Sequence, residues 1–145
     1  MWRILPEFCQ QHPGYERLGL RDLCQHIHQL YARFDVARLT TEMYLSNMEP
    51  MMSPADAFAK MAHREMDRVP IDQLEGRATA VLLTPYPPGI PLLIPGERFN
   101  KTIVQYLRFA RDFNAQFPGF ETDIHGLVEE EIDGKMGYFV DCVKT

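Results

Sequence analysis

From Asp22 onward the apolar residues Leu23, Ile27, Leu30, Tyr31 and Phe34 recur at i, i+4, i+7, i+8 and i+11, which places them on one face of a helix. Val36, Leu39, Met43 and Tyr44, with Met48 beyond them, continue a helical spacing toward Pro50, with a break expected near Asp35. A new start signal follows. Ser53 is suited to cap a helix, Pro54 fits its first position, and Asp56 places a carboxylate in the first turn, where the helix dipole favours it. On that helix Phe58, Met61 and Ala62 are expected to form the buried face, with Lys60, Arg64 and Glu65 outside. Further on, Asn100 caps a long pattern in which Ile103, Tyr106, Leu107, Ala110, Phe113 and Phe117 share one face, and Pro118-Gly119 stops it.

The extended segments come mostly later. Val69 to Leu74 reads as a short connection, and the continuous apolar run Ala78 to Thr84 reads as a strand buried on both faces, with Leu92-Leu93-Ile94 as a second short extended piece. Asp133-Gly134 marks a hairpin turn between Leu127–Ile132 and Tyr138–Val143, where Tyr138, Val140 and Cys142 share one face. Glu129, Glu130 and Glu131 suit a solvated strand edge. Helices first and strands late, without βαβ alternation, imply an α+β fold in which helices pack on a small, late-forming sheet. Residues 1–15, with Pro6, Pro13 and Gly14, read as an irregular lead-in to one domain over 16–145.

Composition changes this picture little but excludes several functions. The chain has 145 residues, 46% hydrophobic and 24% charged, as an ordinary single domain has. A net charge of −5 without any basic run argues against nucleic-acid binding. The 19 uncharged residues Ala78 to Gly96 match the length of a membrane span, but five prolines inside them would leave carbonyls unsatisfied in hydrocarbon, so no membrane partner is expected. Three cysteines, Cys9, Cys24 and Cys142, without CxxC spacing, imply free thiols in a cytoplasmic protein rather than disulfides or a zinc site. His26 and His28, at i and i+2 of a helix, point about 200° apart and cannot grip one metal, and no metal site is expected.

Two segments are candidates for chemistry. The first is the loop Thr84-Pro85-Tyr86-Pro87-Pro88-Gly89-Ile90-Pro91-Leu92-Leu93-Ile94-Pro95-Gly96-Glu97, which its prolines stiffen. Tyr86 and Glu97 are its polar groups, and the loop reads equally as a wall of a binding site or as a plain connection through the core. The second is Gly119-Phe120-Glu121-Thr122-Asp123-Ile124-His125-Gly126, where two carboxylates and an imidazole would suit acid–base or metal work if they converged. The ordinary alternative is a turn in which Asp123 or Thr122 bonds local N–H groups. No GxSxG, GxxxxGK[ST], dinucleotide fingerprint or HExxH is present, so the residues alone name no catalytic group and no reaction.

These same two motifs, in this order, closely resemble the C-terminal domain of the bacterial ornithine/lysine/arginine decarboxylases, and the likeness spans roughly residues 15–145. The resemblance implies a parent enzyme of fold-type I that uses pyridoxal phosphate (PLP) to remove carbon dioxide from a basic amino acid. The product is agmatine or a diamine that enters polyamine metabolism, and the proton consumed serves acid resistance. It also implies that the cofactor sits in a large domain of the same polypeptide, on a lysine that follows a histidine. The four lysines here, Lys60, Lys101, Lys135 and Lys144, follow Ala59, Asn100, Gly134 and Val143. The sequence is therefore expected to be the C-terminal piece of a longer chain, to bind no PLP alone, and to belong to a homo-oligomer. In that setting Tyr86, Pro87, Pro88, Gly89, Pro91 and Glu97 are expected at the substrate entrance, and Glu121, Asp123 and His125 in a structural element. The wording Ile94-Pro95-Gly96-Glu97-Arg98-Phe99 and Thr40-Thr41-Glu42-Met43-Tyr44 resembles the arginine or lysine members more than the ornithine ones. The alternatives are a non-catalytic interaction module that binds the decarboxylase or another protein, and, more remotely, a hydrolase using His125 with Asp123 or Glu121.

Overall fold

A computed structural model describes residues 3–145. In chain order it contains α1 (Pro6–Gln11), α2 (Leu20–Phe34), α3 (Val36–Leu45), β1 (Glu49–Pro50), α4 (Pro54–Ala62), β2 (Met66–Pro70), β3 (Thr84–Tyr86), β4 (Glu97–Arg98), α5 (Lys101–Gln116), β5 (Asp123–His125), β6 (Leu127–Ile132) and β7 (Lys135–Val143), with a 3₁₀ turn at Ile71–Gln73. The architecture is α+β, as the order of the patterns implies.

The helical patterns convert directly into packing. Asn100 Oδ1 accepts the Ile103 N–H at 2.9 Å and starts α5. Its periodic face, Ile103, Tyr106, Leu107, Ala110 and Phe113, is buried against Leu23 and Leu30 of α2 and Leu39 and Met43 of α3. Each fully buried leucine on such a face contributes about 2–3 kcal/mol. Between α2 and α3, Asp35 adopts a left-handed conformation (φ 50°, ψ 51°), which ends one helix and starts the next at the expected break. Ser53 caps α4 by accepting the Asp56 N–H at 3.1 Å, and Pro54 is the first helical residue.

The three-stranded antiparallel sheet has the order β2-β7-β6. Asp133 and Gly134 both have positive φ (52° and 76°), the backbone a tight two-residue hairpin requires, and they join β6 to β7. Tyr138, Val140 and Cys142 are buried on the core face of β7. Burial pushes the Cys142 thiol up to about 12, so it stays protonated. Cys9 is also buried, Cys24 is exposed, and all three thiols are free. β6 is an edge strand, and Arg68 of β2 reaches across β7 to bond both Asp141 and Glu130.

Four expectations are corrected. Val69–Leu74 is not a plain connection: Met66–Pro70 is a strand, with Asp67 opposite Cys142 and Val69 opposite Val140. Its partner lies some 70 positions away, and a segment containing Asp67, Arg68 and Pro70 shows little apolar alternation of its own. The run Ala78–Thr84 is buried at Ala78, Thr79, Ala80, Leu83 and Thr84, but it makes only isolated bridges before Thr84, so it is an irregular core segment rather than a regular strand. Helix α4 is turned by about one residue from the expected face. Ala57 is fully buried beside Ala78, Ala80 and Val143, whereas Phe58 is 62% exposed. Finally, the lead-in expected to be irregular carries α1, whose Phe8 packs with His12, Tyr15 and Phe120, while Tyr15 Oη donates to the Pro118 carbonyl at 2.9 Å.

Candidate functional site

The fold brings the two sequence motifs together. β3 and β5 form an antiparallel ladder with Thr84 opposite His125, Pro85 opposite Ile124 and Tyr86 opposite Asp123. The central pair, Pro85 and Ile124, is buried, and its neighbours Tyr86, Asp123 and His125 are exposed. Beyond the ladder Gly126 (φ +92°) lies directly on the chain before β3: a Cβ there would sit 2.2 Å from the Leu82 carbonyl oxygen. Only glycine permits both that backbone conformation and that approach.

The proline loop closes on itself above this ladder. The Gly89 N–H donates to the Pro85 carbonyl at 2.8 Å, and the Tyr86–Pro87 and Pro87–Pro88 peptides are cis. Gly89 lies against the Tyr86 ring, where a Cβ would come within 2.9 Å of Cε1. Tyr86, Pro87, Pro88 and Pro91 are exposed. Leu83 and Leu93 pair beneath them and are buried with Leu92, which anchors the loop in the core. Tyr44 Oη donates to the Ile90 carbonyl at 3.3 Å and ties the loop to the end of α3.

Glu97 lies in a different ladder from Tyr86: β4 pairs with β1, with Glu97 opposite Pro50. Its carboxylate accepts the Ile94 N–H at 2.9 Å and so shapes the end of the loop. Glu121 accepts the Gly119 N–H at 2.7 Å, and that backbone bond holds its carboxyl below the usual carboxylate range. The turn expected to be tied by Asp123 or Thr122 side chains is thus tied by Glu121. Buried Asn114 of α5, which periodicity did not single out, also serves it: Asn114 Oδ1 accepts the Thr122 N–H at 2.8 Å. A buried polar side chain in an apolar helical pattern was the available signal.

Among the described residues Glu121, Asp123 and His125 make no hydrogen bond with one another, and no cluster of three metal-ligating side chains occurs. Glu121 also borders a groove of about 470 Å³ between α5 and the β6–β7 hairpin, shared with Arg111, Glu129, Lys135 and Tyr138. Lys60 pairs with Glu65 at 3.0 Å, Lys144 lies 3.9 Å from Asp67, and Lys101 and Lys135 are exposed. No helix among the described residues is long and apolar enough to cross a membrane.

Comparison with known proteins gives this geometry a context. The family model described as "Orn/Lys/Arg decarboxylase, C-terminal domain" matches residues 37–144. The lysine decarboxylase LdcA of Pseudomonas aeruginosa is 44% identical over 145 residues, covering 97% of this chain and 19% of that protein. The constitutive lysine decarboxylase of Escherichia coli K12 is 35% identical over 132 residues, 88% of this chain and 18% of that protein. The solved structure of lysine decarboxylase A from Pseudomonas aeruginosa superimposes with a TM-score of 0.87 at 43% identity, over 93% of this chain and 18% of that one. The chain thus spans about a fifth of the length of the relatives it matches. The interlocked motifs, the fold and the extent of the match together place the chain in the ornithine/lysine/arginine decarboxylase family, as its C-terminal domain.

Proposed function

We propose that this chain serves as the C-terminal domain of a cytoplasmic, PLP-dependent decarboxylase of basic amino acids. The observation that carries the reading is the 44% identity to a lysine decarboxylase over 97% of the chain, which includes both interlocked motifs. Lysine or arginine is favoured over ornithine as substrate, and the two relatives described above favour lysine. The cofactor belongs to another part of the polypeptide, because no lysine of this domain has the surroundings a Schiff base requires. PLP, where it is bound, supplies the electron sink for loss of carbon dioxide.

This domain's contribution is to shape the entrance to the reaction site. The stiff loop presents Tyr86, Pro87, Pro88, Gly89 and Pro91, with Asp123 beside Tyr86 in the ladder and Glu97 holding the loop's far end. Carboxylates at a cleft mouth attract a cationic substrate and raise its local concentration. Asp123 and His125 of β5 pair with Tyr86 and Thr84 at the base of this loop, Glu121 ties the turn before β5, and the parent assembles as a homo-oligomer.

Steady-state kinetics on the full-length enzyme tests the entrance role. Glu97→Gln and Tyr86→Phe are expected to lower kcat/KM for lysine several-fold, with the Glu97 effect shrinking at high salt. Unchanged kcat/KM in both variants would remove the entrance from the reading. For the cofactor, borohydride reduction of the 145-residue chain with PLP is expected to leave all four lysines unmodified, and stoichiometric trapping on one of them would contradict its assignment elsewhere.

A further inference from the structure

The groove between α5 and the β6–β7 hairpin takes no part in the entrance, since none of its lining residues belongs to the proline loop. At about 470 Å³ it falls within the range of about 300–1,000 Å³ that small-molecule sites occupy. Its floor is polar and buried. Tyr138 and Asn114 are each 7% exposed, and the Tyr138 hydroxyl accepts the Asn114 amide N–H at 3.4 Å. Among the described residues no acceptor takes the hydroxyl's own proton, so the floor keeps one buried donor in reserve. Met136 and Ala115 add apolar wall. The charges at the rim fall into two groups. Arg111 is committed to Asp72 at 2.8 Å and to Asp112 at 3.3 Å. Glu129 and Lys135 have no ion-pair partner among the described residues, and one oxygen of Glu121 is free once the other has accepted the Gly119 N–H. Glu129 stands directly opposite Tyr138 in the β6–β7 ladder. Burial pushes the Tyr138 hydroxyl's pKa up, the Asn114 bond draws it back, and the carboxylates of Glu129 and Glu121 raise it further against Arg111, so both carboxylates act on the same floor.

We propose that this groove is a non-catalytic binding site for an α,ω-diamino acid, the class of lysine and ornithine, with the ligand's two ammonium groups on Glu121 and Glu129, its carboxylate on Lys135 and the spare Tyr138 proton, and its methylene chain along Met136 and Ala115. The free charges select the class. Two carboxylates and one ammonium complement a ligand that carries two ammonium groups and one carboxylate. A diamine leaves Lys135 unanswered, and a neutral amino acid leaves one carboxylate unanswered. The apolar wall suits an aliphatic chain, which a fully charged cleft would not. The inference extends the functional reading above by a second site for a basic amino acid, apart from the entrance, and binding alone reads it.

Titration of the isotope-labelled 145-residue chain with L-lysine, followed by amide chemical shifts in NMR, tests the site. Saturable shifts are expected at Ala115, Glu129, Met136 and Tyr138. Cadaverine, which lacks the carboxylate, and ε-aminocaproate, which lacks the α-ammonium, are each expected to bind about five-fold more weakly, since each gives up one ion pair. Glu129→Gln and Lys135→Gln change exposed side chains, so the fold is retained, and each should weaken lysine binding by a similar factor. Glu130→Gln makes the same charge change on the other face of β6, where Glu130 bonds Arg68, and should leave lysine binding as it is. Shifts that do not saturate overturn the proposal. So do equal binding of cadaverine and lysine, or equal losses in Glu130→Gln and Glu129→Gln, because the groove then attracts any cation. The entrance reading is scored separately, by kcat/KM of Glu97→Gln and Tyr86→Phe, and neither of those residues lines the groove. Calorimetry on the full-length polypeptide stripped of PLP, which cannot decarboxylate its ligand, repeats the comparison in the whole protein. Weaker lysine binding in Glu129→Gln is expected there, and an isotherm identical to the parent's overturns the site.

Discussion

Helix α5 and the proline loop are held by opposite means. α5 is held by side chains: its apolar stripe fills the core, where swaps that conserve volume and polarity are tolerated best. The loop is held by backbone. It has few ladder bonds, and it depends on fixed proline φ angles, on Gly126 lying against a carbonyl, and on Glu97 and Tyr44 capturing main-chain groups. A segment of the first kind fails through cavities, and one of the second kind fails when a single Cβ is added. The difference leaves the loop's exposed side chains free for contact while its path stays fixed.

Five substitutions sharpen this contrast, and the largest effect is expected at the smallest change. Gly126→Ala adds one methyl where φ is +92° and the Leu82 carbonyl oxygen is 2.2 Å from the new Cβ. It should cost about 4 kcal/mol, read as a lower urea midpoint at unchanged slope. A midpoint within error of the parent's would mean that the β3–β5 ladder is not packed as described. Leu107→Ala, which empties a fully buried site on α5, should cost about 3 kcal/mol, whereas Ile90→Ala on the exposed loop tip should cost under about 0.5 kcal/mol in this chain. Similar costs for the two would erase the distinction between the regions.

Ser53→Ala removes the cap of α4, and a loss of about 1 kcal/mol in thermal or urea melts is expected, with Ser53→Thr largely retaining stability. The last effect concerns acid. Burial pushes the Asp72 carboxyl up, but hydrogen bonds from Arg108 and Arg111 outweigh it and leave the carboxyl below its ordinary value. A depressed folded-state value means that this stabilisation is complete above the unfolded carboxylate range, near pH 4, and fades as pH falls through the folded value. Glu121 follows the same sign through its Gly119 bond. With Asp72 half in solvent, Asp72→Asn should flatten the acid limb of the stability curve by less than about 1 kcal/mol. A steeper acid limb in that variant would reverse the assignment.

The contrast also explains what was legible in the sequence. α2, α5, the Ser53 cap and the Asp133–Gly134 hairpin follow from local rules of spacing, capping and φ, and each stands where those rules put it. Met66–Pro70 was not legible as a strand because its apolar side chains are set by a partner far along the chain. The outward turn of Phe58 reflects the tight fit of Ala57 against Ala78, Ala80 and Val143, which only a small residue permits. At the site, both motifs stood out by composition, but their pairing through β3 and β5 did not, and neither did the part played by Asn114. Pairing register between distant short strands is decided by tertiary contact, not by the segments themselves.

One consequence of the sheet order concerns synthesis on the ribosome. β7 is the last of the sheet's three strands to leave the exit tunnel and yet the middle one in space, between β2 and β6. Until β7 has emerged, β2 lacks its ladder, and the pocket of small side chains around Ala57 has no Val143 to close it. The helices can gather as they appear, but the sheet closes only at the end, so a nascent chain stalled within this domain displays an unpaired β2 to chaperones.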